Sequence, residues 1–412
     1  MLWQPSLPKD YLSAGPERLA ERIAARRREL GHDLVILGHH YQTDEVIQHA
    51  DFTGDSLRLS QLAAAKVAES GAKFVVFCGV HFMAETADLL TPDHVAVILP
   101  DLSAGCSMAD MADYDDALAA WDLLHAALKA QGWKGRIVPI TYINSTAAIK
   151  AFVGRNGGIV CTSSNAAAMF QWALAGGTSP RKKNENIKIL FLPDQHLGRN
   201  TAAASGIDTD QHTVLYDPRR LARGEELGGI SPDALARAKV ILWAGHCSVH
   251  KLFRPEHCDQ IRDADRDKPK AERTTILVHP ECVKEVVDKS DLAGSTEFII
   301  RTISNARPGS RWAVGTEVHL VQRLVRAAAE RDVHVRILSD CQCLCTTMYR
   351  IDQEHLCWTL DHLAEGKVVN RVTVHPEARK WALTAIQRML DRSAPLGSAP
   401  PAVKAAATPL ID

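Results

Sequence analysis

The feature that most constrains the fold of this 412-residue chain is a pattern that occurs three times along it. Each copy starts with a short apolar run that ends in two reactive side chains at positions i and i+2. A loop with hydroxyl side chains follows, then a second apolar run, and finally a further run that leads to a cysteine. Because four stations match in the same order, the sequence predicts three copies of one structural unit.

The stations of the three copies are short and easily located. The side-chain pairs are His39 and Tyr41, Tyr142 and Asn144, and His279 and Glu281. The hydroxyl loops are Gly54–Ser56, Thr162–Ser164 and Gly294–Thr296, and the closing cysteines are Cys106, Cys247 and Cys345. The middle copy is longer by about the segment 199–235, which we interpret as a surface insertion.

The apolar runs are rich in Val and Ile and do not alternate with polar residues, which is typical of strands buried on both faces of a parallel sheet. Helical spacing dominates the Ala- and Leu-rich stretches between them. We therefore predict an α/β fold with three pseudo-symmetric αβα domains, each with a small parallel sheet, around a pseudo-threefold axis. The predicted domains are residues 1–115 with an N-terminal helix, 116–255 with the insertion, and 256–392 with C-terminal helices, followed by a flexible tail at 393–412.

Charge and hydropathy exclude several classes of function. The formal net charge is −1, so the chain has no basic excess that would favour nucleic acid or an anionic membrane. No apolar run approaches the roughly 20 residues that span a bilayer. The first residues do not resemble a secretory signal. We therefore expect a cytoplasmic protein without a membrane or nucleic-acid partner.

The predicted geometry brings the three cysteines together. Ligand sites lie at the carboxyl ends of parallel strands, so three units around one axis would each supply one cysteine to a common point. Three thiolates fit an iron–sulfur cluster with one open iron. A zinc site completed by His250, or plain structural thiols, fits the spacing equally well. The hydroxyl loops fit either anion binding or helix capping, and His279 with Glu281 fits an acid–base pair.

Longer motifs resemble the quinolinate synthase family over about residues 34–389. They are GHHYQ at 38–42, DFTGDS at 51–56, PDLSAGCSMAD at 100–110, YINSTA at 142–147, CTSSNA at 161–166, FLPDQHLG at 191–198, GHCSVH at 245–250, VHPEC at 278–282, GST at 294–296, VGTE at 314–317 and CTTMYRID at 345–352. The resemblance implies three αβα domains and a [4Fe–4S] cluster held by Cys106, Cys247 and Cys345. It also implies a transferase/dehydratase-type enzyme of NAD biosynthesis that condenses iminoaspartate with dihydroxyacetone phosphate to quinolinate, phosphate and water. An aspartate oxidase that supplies the imine would be a transient partner.

The same resemblance implies roles for individual residues. Glu281 is expected to be the general base, with His279 and Tyr41 as proton-transfer partners and with Tyr142 and His250 also catalytic. The expected substrate-binding residues are His39, Ser56, Tyr142, Asn144, Ser163, His279, Glu281, Ser295 and Thr296.

The third cysteine motif departs from the family pattern. Many relatives have Pro after the last ligand cysteine, whereas Thr346 follows Cys345 here, and the run is CxCxC instead of CxxCxxC. Alignment through Met348 favours Cys345 as the ligand. Cys341 and Cys343 remain as alternative ligands or as reduced thiols without a ligand role.

Overall fold

The structure is a computed structural model that describes residues 4–340 and 343–393, and the backbone of residues 402–404. Its strands are β1 Leu34–His39, β2 Phe52–Gly54, β3 Phe74–Cys78, β4 Ala96–Ile98, β5 Gly135–Tyr142, β6 Ile159–Cys161, β7 Asn186–Leu192, β8 Thr213–Tyr216, β9 Val240–Trp243, β10 Thr274–Val278, β11 Leu292–Gly294, β12 Arg311–Gly315, β13 His334–Ile337, β14 Arg371–Val372 and β15 Ala402–Lys404.

Helices connect most of these strands. They are α1 Lys9–Leu12, α2 Pro16–Leu30, α3 Asp44–Ile47, α4 Ser56–Ser70, α5 His81–Leu90, α6 Ser107–Asp110, α7 Tyr114–Ala130, α8 Ala147–Arg155, α9 Ala166–Leu174, α10 Gln195–Ala204, α11 Thr209–His212, α12 Pro218–Ala222, α13 Pro232–Arg237, α14 Pro255–Ala264, α15 Lys284–Lys289, α16 Thr296–Ser304, α17 Val318–Ala329, α18 Gln353–Ala364 and α19 Pro376–Leu390.

Three sheets share one topology, as the repeat predicts. Their orders are β14-β4-β3-β1-β2, β6-β5-β7-β9-β8 and β13-β12-β10-β11-β15. In each sheet the first strand of the copy lies between the second and the third, and the fourth strand lies beyond the third; all these pairs are parallel. The α/β class with three small, mainly parallel sheets is therefore confirmed.

The fifth strand of each sheet is what distinguishes the copies. β14 and β15 are antiparallel edge strands, whereas β8 is parallel to β9. β8 belongs to the segment 199–235, which therefore adds an edge strand to the middle sheet, and Asn200 and Thr201 of the same segment are buried. The assignment of this segment as a surface insertion stays a prediction. β15 lies within the predicted flexible tail, whose other residues after Ser393 are outside the described part of the chain.

In the first and third copies, an aspartate directly before the second strand accepts a hydrogen bond from the backbone of the first strand. The Asp51 carboxylate accepts a hydrogen bond from Ile36 N at 2.7 Å, and Asp291 accepts one from Ile276 N at the same distance. An arginine pairs with each carboxylate. Arg27 pairs with Asp51, and Arg262 Nη2 lies 2.8 Å from Asp291 Oδ2. These carboxylates therefore connect the backbone of the first strand to the residue that precedes the second strand.

The chain forms two compact units. The first contains residues 4–107 and 344–379 and holds the β1 sheet; the second contains residues 108–340, 343, 380–393 and 402–404 and holds the other two sheets. The three domain boundaries and the pseudo-threefold axis stay predictions. In the described residues, no helix combines the length and the apolar character needed to cross a membrane.

Candidate functional site

The carboxyl ends of the strands carry the predicted side chains in both units. Tyr142 is the last residue of β5, and His279 follows β10 directly. His250 begins a short 3-10 turn after β9, three residues beyond Cys247. In the second unit these strand ends bring Tyr142, Cys247, His250, His279 and Glu281 together, and this group is called the His–Glu cluster below.

His250 is the centre of the His–Glu cluster and is almost fully buried. Its Nδ1 lies 2.8 Å from Glu281 Oε2 and 3.2 Å from Cys247 Sγ, and its Nε2 lies 3.1 Å from Thr316 Oγ1. Because Nδ1 faces a carboxylate, we assign the ring proton to Nδ1, and Nε2 then accepts from the Thr316 hydroxyl.

Glu281 is a buried carboxylate surrounded by donors. Burial by itself raises the pKa of Glu281, but His279, His250 and a hydrogen bond from Tyr142 outweigh it and hold the pKa below its usual range. The carboxylate is therefore ionised at neutral pH. It accepts hydrogen bonds from His250 and Tyr142.

His279 stacks on His250, with ring centroids 4.5 Å apart and an interplanar angle of 25°. Burial lowers the pKa of His279 to about 3, with His250 adding to this effect and Glu281 opposing it. His279 is therefore neutral at physiological pH. Its Nδ1 accepts a hydrogen bond from Glu281 N at 3.3 Å, which leaves Nε2 with the proton.

The His–Glu cluster also has the composition of a metal site. Ligand atoms of Cys247, His250 and Glu281 all lie within 4.8 Å of one another. Thiolate, imidazole and carboxylate are the donors that zinc takes in proteins, and thiolate is the usual ligand of iron–sulfur clusters. The geometry of this unit alone therefore admits a metal at Cys247 without identifying it.

The other predicted residues of the second unit lie in the loops around these strand ends. Asn144 follows β5 with a buried Oδ1 that has no hydrogen-bond partner among the described residues. Ser163 and Thr296 are buried at equivalent positions after the second strands of their sheets. Ser295 caps α16 by accepting from Phe298 N at 3.3 Å, which is the helix-capping alternative predicted for a hydroxyl loop.

In the first unit His39, Tyr41 and Ser56 are placed by the same strand ends. His39 ends β1 and is buried, and its Nδ1 accepts from Tyr41 N at 3.1 Å. The two rings meet edge to face at 4.8 Å. Ser56 begins α4 and is also buried. Cys106 and Cys345 belong to this unit as well.

Exposure separates the three predicted ligand cysteines from the others. Cys106, Cys247 and Cys345 are half-buried, whereas the remaining described cysteines are buried: Cys78, Cys161, Cys258, Cys282, Cys343 and Cys357. Burial raises the pKa of Cys78 to about 12 and that of Cys258 to about 11. Without a metal, these buried thiols therefore remain protonated at neutral pH. Cys341 lies outside the described residues.

Sequence reasoning missed two residues next to the His–Glu cluster. Thr316 follows β12 and bonds His250, and Asp194 follows β7 and caps α10. Burial and the charge of Glu281 raise the pKa of Asp194 well above its usual range. Both residues follow the third strand of their copy, inside the motifs VGTE and FLPDQHLG. A search for polar residues directly after the third strand of each copy, and not only after the first strand, would have identified them.

Comparison with known proteins identifies the family of the chain. The family profile described as "Quinolinate synthetase A protein" matches residues 21–391. The chain belongs to this family. It is 52% identical over 382 residues to the quinolinate synthase of Acidobacterium capsulatum, covering 92% of this chain and 95% of the relative. The quinolinate synthase of Anoxybacillus flavithermus is 48% identical over 388 residues, covering 94% of this chain and 97% of the relative.

Proposed function

We propose that this protein is a quinolinate synthase that condenses iminoaspartate with dihydroxyacetone phosphate and releases quinolinate, phosphate and two waters. Family membership supports the activity, and the His–Glu cluster is the structural observation that carries the chemistry. Imine condensation and two dehydrations each require protons to be removed and delivered, and the cluster places a carboxylate, two imidazoles and a phenol around one point.

The cysteines fit the cofactor that the family implies. Cys106, Cys247 and Cys345 would hold a [4Fe–4S] cluster, because they combine partial exposure with the thiolate chemistry that iron requires. When bound, the cluster would supply Lewis acidity from one iron that has no protein thiolate.

Proton transfer is assigned to the His–Glu cluster. We assign Glu281 as the general base: it is ionised, and it gains basicity when substrate displaces the Tyr142 hydroxyl or His250 Nδ1. His279 is assigned as a proton-transfer partner: its ring is neutral, and its Nε2–H would donate a hydrogen bond that polarises a substrate oxygen. Tyr41 is assigned as a further proton-transfer partner.

Substrate binding is assigned to the strand-end loops. Asn144 Oδ1 is a buried acceptor that a donor on the substrate would satisfy. We assign His39 and Ser56 to a substrate carboxylate, and Tyr142 and Asn144 to the triose portion and carbonyl oxygens. The remaining hydroxyls would contact carboxylate or phosphate; they are those of Ser163, Ser295 and Thr296. An aspartate oxidase is proposed as the transient source of the imine.

Iron and sulfide content, with a visible spectrum of protein purified without oxygen, tests the cofactor. We expect about four irons per chain and a broad brown absorption. Cys106→Ala, Cys247→Ala and Cys345→Ala should each lose the cluster and quinolinate formation, whereas Cys343→Ala, which removes a buried thiol, should keep both. A variant of the first three that retains cluster and activity removes that cysteine from the ligand set.

Glu281→Gln tests the base. It should keep normal iron content and lose most of its quinolinate formation, and Glu225→Gln, a substitution of a partly exposed glutamate in the same unit, should change neither. Normal turnover by Glu281→Gln would show that another group removes the proton.

A zinc hydrolase is the second candidate, favoured by the compact group of Cys247, His250 and Glu281. The same metal analysis decides between the two. A colourless protein with one zinc per chain, and no iron after anaerobic reconstitution, would support the hydrolase and exclude the quinolinate mechanism described above.

A further inference from the structure

Helix α10 places one buried amide against the loop that carries Glu281. Asn200 is only 3% exposed, and its Nδ2 lies 2.8 Å from Pro280 O and 2.8 Å from Cys282 O. These two carbonyls flank Glu281 in the sequence. One side chain therefore holds the peptide group that precedes Glu281 and the one that follows Cys282.

The orientation of the amide follows from its neighbours. Both groups facing Asn200 are carbonyls, which only accept hydrogen bonds, so the amide nitrogen must point toward the loop. Asn200 Oδ1 is buried and has no hydrogen-bond partner in the described part of the chain. An unsatisfied buried acceptor is unfavourable, so the two donated bonds are what this amide contributes at this position.

The start of α10 is fixed to the loop that precedes Cys247. Asp194 Oδ1 accepts from His196 N at 2.7 Å and from Leu197 N at 2.8 Å, and Gln195 N donates to Gly245 O at 2.9 Å. The same helix thus contacts the loop leading to Cys247 and His250 and, through Asn200, the loop of Glu281. It is a rigid link between the two partners of the 2.8 Å contact between His250 and Glu281.

The middle sheet uses a related device at the equivalent loop. Lys150, fully buried in α8, donates from Nζ to Ser145 O. Ser145 lies three residues after Tyr142, as Cys282 lies three residues after His279. In both loops a buried helix residue donates a hydrogen bond to a carbonyl of the loop that follows the first strand.

We propose that Asn200 is a positioning residue for Glu281, which holds the loop of residues 280–282 so that the carboxylate stays in reach of His250 and of the substrate. The proposal rests on the assignment of Glu281 as the base in quinolinate formation. Asn200 touches neither substrate nor metal in this proposal and acts through the loop backbone alone.

Loss of the two donors should mainly affect the rate of the chemical step. A displacement of about 1 Å of a reacting group can lower a rate by about 100-fold. For Asn200→Leu, which keeps the approximate size and removes both donors, we expect kcat to fall about 10- to 100-fold and KM to change less than about threefold. Iron content should equal that of the unsubstituted protein.

The experiment compares three variants of the full-length holoprotein. Asn200→Leu and the smaller Asn200→Ser remove the bonds to the loop, and Asn156→Leu is the matched control, since Asn156 Nδ2 donates to Phe152 O at 2.9 Å at the end of α8. Hydrogen exchange of the peptide containing residues 279–283 gives a readout independent of activity. It should accelerate in both Asn200 variants and stay unchanged in the control. If Asn200→Leu does not fold, Asn200→Ser carries the comparison.

A double-mutant cycle separates positioning from general stability. If Asn200 acts through Glu281, Asn200→Leu in the Glu281→Gln background should reduce the residual rate by less than about twofold. An undiminished 10- to 100-fold loss in that background, or a wild-type kcat and hydrogen exchange in Asn200→Leu, would overturn the proposal. Failure of the unsubstituted holoprotein to form quinolinate would instead overturn the proposed function, and the hydrogen-exchange result would still report on the loop.

Discussion

Alkylation of the cysteines in the reduced, metal-free protein is expected to divide them into two groups. A thiol reacts with iodoacetamide as the thiolate, so the rate depends on the ionised fraction as well as on access. With a pKa of about 12, Cys78 and Cys357 are roughly 10⁻⁴ ionised at pH 8. An ordinary thiol with a pKa of 9.0 is about 10⁻¹ ionised.

The ratio of these fractions gives the size of the effect. Cys78 and Cys357 should react about 1000-fold more slowly than an ordinary thiol, and Cys258, with a pKa of about 11, about 100-fold more slowly, before any steric exclusion is added. The half-buried cysteines, which the reagent can reach, should label first; they are Cys106, Cys247 and Cys345.

Peptide mass spectrometry over a time course measures the individual rates. Loading with iron and sulfide without oxygen should then protect the same three cysteines and leave the slow group unchanged. Labelling of Cys78 or Cys357 within tenfold of the fast group would refute the argument from burial. Protection of Cys343 in place of Cys345 would move the third ligand within the CxCxC run.

Three further perturbations test the scaffold by urea unfolding. Asp361 is a buried carboxylate that binds the Tyr11 hydroxyl at 2.8 Å and two arginines of α2. Asp361→Asn removes its charge and should lower the free energy of unfolding by about 2–3 kcal/mol. This is below the range for fully buried pairs because the arginines are about one-third exposed. Gly154→Ala places a Cβ 2.0 Å from a backbone carbonyl of α19, and should cost about 1–3 kcal/mol although alanine favours helix. Burial lowers the pKa of His49 to about 4, so the unfolded chain takes up its proton first as pH falls. Stability should therefore fall by up to about 3 kcal/mol between pH 6.5 and 4, with a smaller slope in His49→Asn; equal slopes would contradict this.

The parts of the fold that could be predicted from the sequence are those where burial determines the residue pattern. Strands covered on both faces have continuous apolar sequences, so the apolar runs at 74–78, 187–192 and 240–243 predict β3, β7 and β9 to within one residue. The i and i+2 pairs could be located because each pair comes at the end of an apolar run, which marks the end of a buried strand. Tyr142 and His279 lie at these ends as expected.

The rest of the fold leaves a weaker signal in the sequence. β14 has two residues and β15 three, and both are edge strands that pair antiparallel, so no apolar run or alternation marks them. Asn200 is an isolated polar residue in a helix. Its importance depends on the tertiary contact between α10 and the Glu281 loop, which no local pattern reveals.

The copies share features of the loop that follows the first strand and differ in the side chains that this loop carries. Tyr41 N donates to His39 Nδ1 at 3.1 Å, and Glu281 N donates to His279 Nδ1 at 3.3 Å, so the loops of the first and third copies share this hydrogen bond. The side chain at the i+2 position is different in each copy: a phenol, the amide of Asn144 and a carboxylate. The same position after the first strand therefore carries a different kind of polar group in each copy. Under the proposed function, this difference at one position would let each copy contribute a different polar group to catalysis, with the carboxylate of Glu281 as the base from the third copy.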